Sequence, residues 1–87
     1  MFIVVQHDIT NKDAFFGAAD RVSKDVPSGL KPIQFLPSTD SKRAVCLWEG
    51  QSVEAVKGFL EPKLGKSATN TYYAIDAKMA MGLPTNV

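Results

Sequence analysis

The side chains able to move a proton near neutral pH are few. His7 is the single histidine, and an imidazole is the one side chain whose ordinary pKa lies in that range. Glu49 closes the apolar run "RAVCLWE" (43–49) and follows Trp48 directly. A carboxyl group held against an indole in a pocket has its pKa raised and can serve as an acid or base. At an exposed strand end the same group would only pair with Lys31, for about 0–1 kcal/mol. His7 and Glu49 are therefore the candidate catalytic groups. A second set, Gln6, Gln34, Trp48, Tyr72 and Asp76, combines aromatic walls with a few amide and acid groups, the composition of a small-molecule cleft. The same aromatics would also suit a protein interface. Cys46 stands between apolar neighbours with no cation expected beside it, which reads as an inert buried thiol. As the only cysteine it makes no internal disulfide, so a reducing, cytoplasmic setting is expected. One histidine per chain falls short of a closed tetrahedral metal site. No glycine-rich phosphate loop and no serine-hydrolase elbow is found, so neither a metal nor a cofactor is assigned.

These residues must be positioned by regular elements. Residues 2–9, "FIVVQHDI", are rich in β-branched side chains and read as a strand. Thr10, Asn11 and Asp13 supply cap chemistry, with Thr10-x-x-Asp13 as a weak capping box. The helix that follows reaches about Lys24, with Phe15, Ala18, Ala19 and Val22 on its apolar face. "VPSGLKP" (26–32) ends it. Two further strands, Lys31–Leu36 and Arg43–Glu49, flank the polar turn "PSTDSK" and form a hairpin. Ser52 caps a second helix that buries Val56, Phe59 and Leu60. Pro62 ends that helix near Glu61 or lets it restart as one turn up to Gly65. "GKSATN" reads as a loop, Thr71–Met79 as the fourth strand, and residues 80–87 as a tail.

Strand, helix, strand, strand, helix, strand, joined by right-handed crossovers, gives a four-stranded antiparallel sheet of order 4-1-3-2 with two helices on one face. This is the ferredoxin-like α+β arrangement. In that order Glu49 lies near Ile3 and Lys31, and His7 at the other end of the first strand. A rise of about 3.3 Å per residue separates the two by more than about 10 Å within one chain, so they form no acid–base dyad unless a dimer axis brings two copies together.

Alternation along the strands sorts the side chains into two faces. Ile3, Val5, His7, Ile33, Phe35, Val45, Leu47, Tyr73, Ile75 and Ala77 are expected beneath the helices. Phe2, Val4, Gln6, Gln34, Leu36, Ala44, Cys46, Trp48, Tyr72, Ala74 and Asp76 are expected on the open face. Leaving large apolar groups there in water forfeits about 1.5–3 kcal/mol each, so a homodimer packed sheet to sheet is expected. The alternative cover is the tail, with Met81, Leu83 and Pro84.

With 87 residues the chain makes one domain, 1–87, small enough to gain from a partner subunit. A net charge of +1 without a lysine or arginine cluster leaves no nucleic-acid footprint. No apolar run approaches the roughly 20 residues of a membrane span. The start "MFIVV" has no basic region or small-residue cleavage site, so no signal peptide is expected.

The passage "VCLWEGQSVEAV" (45–56), set in this topology, resembles the dimeric α+β barrel superfamily. In particular it resembles a small family of unknown function that shows Cys-Leu-aromatic-Glu, a short turn, then a helix with Glu-Ala-Val. The resemblance implies a ferredoxin-like protomer, a homodimer and a ligand cleft between the sheet and either the helices or the partner. Some members of that small family bind nickel through several histidines; here His7 stands alone. Other relatives in the superfamily are cofactor-independent monooxygenases, isomerases and decarbonylating enzymes. The first functional expectation is thus a protein that binds a small hydrophobic or aromatic ligand. The alternatives are a monooxygenase or isomerase using His7 or Glu49, and a nickel-type metal-responsive protein using His7.

Overall fold

The β-branched run after Met1 forms β1 (Phe2–Ile9), and the other strands assemble around it. The computed structural model describes residues 1–84. They form β1, α1 (Lys12–Lys24), β2 (Lys31–Pro37), β3 (Arg43–Glu49), α2 (Val53–Leu64), a 3-10 turn over Gly65–Ser67, and β4 (Ala68–Ala74). The sheet is antiparallel throughout, in the order β2-β3-β1-β4. Both helices contribute to one core with the sheet. This is the ferredoxin-like βαββαβ fold expected from the element order.

The helix starts follow local chemistry. Asn11 Oδ1 accepts from the Ala14 amide at 3.1 Å and caps α1. Thr10 takes no part in that cap; its hydroxyl donates to the Lys66 carbonyl and ties α1 to the entry of β4. Ser52 Oγ accepts from the Ala55 amide and caps α2 as expected. Pro62 does not end α2, which runs on to Leu64. The ring removes the amide that would bond the Gly58 carbonyl. Gly58 lies on the exposed side of the helix, where water can satisfy that carbonyl.

The fourth strand begins three residues before the expected Thr71 and stops at Ala74. The Ser67 carbonyl accepts from the amides of Thr10 and Asn11, which draws "ATN" into register with β1. Ladder pairing overrides the weak strand propensity of those residues. Asp76 then makes a turn, its side chain accepting from the Lys78 amide and its carbonyl from those of Met79 and Ala80.

The largest correction concerns the faces. Residues directly opposite each other in an antiparallel pair share a face. β1 turns Ile3, Val5 and His7 toward the helices, as expected, and their partners across β3 are Trp48, Cys46 and Ala44. Those three lie in the core, while Val45 and Leu47 take the open face. Tyr72 opposes Val5 and packs against the core, whereas Tyr73 faces out. Both alternating sets of β3 are apolar, so its own pattern carries no sign of which is inner. The open face therefore presents Phe2, Val4, Gln6, Leu36, Val45 and Tyr73, with Leu47 buried among them. In the tail, Met81 stands in solvent (96% exposed), and Leu83 and Pro84 are half-buried. Residues 85–87, the rest of the expected tail, lie outside the described residues. Among the described residues no helix is long and apolar enough to cross a membrane.

Candidate functional site

His7 is the sixth residue of β1 and points into the core, 3% exposed. Its neighbours are set by register. Ala44 lies opposite on β3 and Asn70 opposite on β4. Cys46, two residues beyond Ala44, brings its thiol to His7. The Cys46 Sγ is 3.2 Å from His7 Nε2, and Asn70 Oδ1 is 2.6 Å from His7 Nδ1. From α2, Glu61 Oε2 accepts from Asn70 Nδ2 at 2.7 Å and from the Tyr72 hydroxyl at 2.5 Å. The Phe15 ring of α1 meets the imidazole edge-on, with centroids 5.1 Å apart.

This chain of contacts fixes the proton positions. A carboxylate only accepts, so Asn70 must turn its NH2 to Glu61 and its oxygen to His7. An oxygen acceptor requires the proton on Nδ1. In a neutral imidazole that leaves Nε2 with a lone pair, aimed at the Cys46 thiol. Burial lowers the His7 pKa and keeps it neutral, against the opposing pull of Asn70 and Glu61. Burial also pushes the Cys46 thiol up to about 12. The indole N–H of Trp48 acts on that thiol in the opposite sense but lacks the geometry of a hydrogen bond to it. Among the described residues it is the one buried side-chain polar atom without a partner. The Glu61 carboxyl is held below its ordinary range by the Tyr72 and Asn70 donors, and the Tyr72 phenol is pushed up by burial and by Glu61.

A cavity of about 270 Å³ opens beside this network, between the helices and the β2 side of the sheet. Its inner wall is His7, Cys46 and Trp48. Phe15 and Val22 of α1 and Leu60 and Leu64 of α2 form its roof. Pro32, Gln34 and Phe35 are exposed and lie toward solvent. Pro32 is tolerated because β2 is an edge strand. Between Pro32 and Gln34 the β2–β3 register shifts, leaving Ile33 as an extra residue on the cavity wall. Such bulges re-aim side chains beside binding sites. Phe35 stands 6.2 Å from the rings of both Phe15 and Phe16, so the rim is aromatic.

Of the sequence candidates, His7, Gln34 and Trp48 border this cavity. Tyr72 belongs to the adjoining network through Glu61. Gln6 lies on the opposite face, where its amide donates to the Tyr73 hydroxyl at 3.2 Å. Asp76 is spent on its turn. Glu49 pairs in register with Phe2 and Lys31, at the far end of β1 from His7, and does not reach the cavity. Three members of the network, Cys46, Asn70 and Glu61, lie outside the expected site. Strand alternation alone puts Cys46 on the other face, Asn70 falls in the expected loop "GKSATN", and Glu61 near the expected end of the second helix. The one available signal was register: placing Val5 opposite Cys46 would have put thiol and imidazole together. Among the described residues no three or more His, Cys, Asp or Glu side chains cluster as a metal site.

No family model, no curated protein and no solved structure matches this chain. The chain is a ferredoxin-like α+β fold with an apolar cavity closed at its inner end by a thiol and an imidazole.

Proposed function

We propose that the protein binds a small hydrophobic or aromatic molecule in the cavity between the helices and the β2 side of the sheet. The observation that carries this reading is an apolar, aromatic-rimmed space of about 270 Å³ whose inner wall holds His7, Cys46 and Trp48. That volume lies near the lower bound of ligand pockets, roughly 300 Å³, and fits a compact ligand with one polar end. The cleft lies between sheet and helices rather than between subunits. Trp48 is the sole tryptophan, so its emission reports on the site. Titration with small alicyclic and aromatic compounds is expected to give a saturable change in that emission. Ala19 of α1 also lines the cavity, and Ala19→Phe fills it and is expected to abolish the change while the protein stays folded. A panel without any Trp48 response would remove this reading.

We also propose that two copies pair through the open face. Leu36 (57% exposed), Val45 and Tyr73 (38% and 42%) lie there with the half-buried Phe2 and Val4, and burying them against a second copy recovers apolar area. A free, buried thiol suits the reducing cytoplasm, to which we assign the protein.

A further inference from the structure

Resting on the cavity reading above, we infer that Cys46 adds to apolar electrophiles held in this cavity, α,β-unsaturated carbonyl compounds as a class, with His7 as the base that takes the thiol proton. Three features on different elements converge on this chemistry. The nucleophile and base are in contact, Sγ to Nε2 at 3.2 Å. The base carries its lone pair on that nitrogen because Asn70, itself oriented by Glu61, claims the other. Both reacting groups line the cavity that would hold the electrophile.

The step balances without an outside reagent. As Sγ bonds to the β-carbon, the thiol proton passes to His7 Nε2, and the alkene electron pair moves toward the carbonyl as an enolate. The imidazolium is stabilised through Asn70 and the Glu61 carboxylate. His7 then returns the proton to the α-carbon, leaving a thioether and a saturated carbonyl. There is no leaving group and no change of metal or cofactor. Asn70 and Glu61 are positioning residues. The cavity selects the electrophile: its walls exclude charged thiol reagents and admit compact apolar ones.

The distinguishing property is the pH dependence. A thiol held near 12 and reacting only as free thiolate would speed up about tenfold per pH unit from about pH 7 to 9. Transfer to a neutral imidazole gives a rate that is flat over the same range, because the base is already unprotonated. The groups that face His7 are Cys46 from β3, Asn70 with Tyr72 beyond it from β4, Glu61 from α2, and the uncharged Phe15 from α1. On β1 itself Gln6 and Asp8 point to the other face. None of His7, Cys46, Glu61 and Tyr72 is expected to change charge between about pH 7 and 9.

The full chain is treated with N-cyclohexylmaleimide, and adduct formation is followed by intact mass, with N-acetylcysteine as reference. N-cyclohexylsuccinimide, the saturated analogue, tests the cavity alone through Trp48 emission. The expected result is one adduct, at Cys46, with a rate constant within about twofold across pH 7–9 and about 10²-fold lower in His7→Gln. The polar N-(2-hydroxyethyl)maleimide is expected to react more slowly relative to its own reference. Saturable Trp48 emission with the succinimide but no adduct leaves the cavity and overturns the addition. An adduct whose rate climbs tenfold per pH unit overturns the role of His7, and the wild-type profile decides this even if His7→Gln fails to fold. No emission change with the succinimide overturns the cavity reading and this inference together.

Discussion

At His7 two demands meet. The imidazole is buried among apolar side chains, which opposes its charge, yet it is linked through Asn70 to a carboxylate that favours it. Burial is the larger effect, so its pKa falls below the ordinary 6.5. The sign for stability follows. The unfolded chain takes up a proton near 6.5 while the folded chain resists, so the stability His7 contributes is complete above 6.5 and is lost as pH falls. Glu61 acts in the same sense lower down, below its ordinary 4.5, because Tyr72 and Asn70 hold its carboxylate. Cys46 acts at the opposite end: its thiol is raised from 9.0 to about 12, so stability is lost as pH climbs above 9. Urea unfolding against pH is expected to show a decline that begins near 6.5. His7→Gln should move the onset of that decline down toward the carboxylate range. A decline starting at the same pH in His7→Gln would mean that another group sets it.

At the scale of elements, the helices were legible because their ends are written in short-range chemistry. Asn11 and Ser52 each accept an amide three residues on, and Ser52→Ala is expected to cost about 1 kcal/mol in chemical denaturation. Strands depend on neighbours instead. β1 and β3 have the bounds expected from their apolar runs, whereas β4 begins and ends earlier than expected because its first residues are strand only by virtue of pairing with β1. The same dependence decided which side of β3 is inner. Trp48 is 3% exposed and packs on Phe59 at 6.0 Å. Trp48→Ala is therefore expected to lose about 3–5 kcal/mol. A loss below about 1 kcal/mol, typical of surface positions, would return Trp48 to the open face.

At the scale of the whole molecule, two helices shield one side of a sheet that is apolar on both. The inner side forms the core and the cavity. The outer side keeps Leu36, Val45 and Tyr73 in contact with solvent. Association through that side predicts a melting temperature that rises with protein concentration, since only the folded protomer pairs. Leu36→Lys should remove the concentration dependence and yield a monomer in sedimentation, with Trp48 emission unchanged. A wild-type protein that sediments as a single protomer at every concentration would discard the dimer and leave the cavity untouched.

The order of elements, the caps and the topology could be read from the chain because they rest on local propensity and on the geometry of crossovers, which act over a few residues at a time. The inward orientation of His7 was also legible, since one alternating set of β1 is plainly the more apolar. The site itself was decided only by the fold. Cys46, Asn70 and Glu61 lie 39, 63 and 54 positions from His7, on three different elements. Nothing in β3, where Ala44, Cys46 and Trp48 are as apolar as Val45 and Leu47, states which set faces in. Hydrogen-bond register with β1 supplies that information, and a shift of one residue would have sent the thiol and the indole to the other side of the sheet.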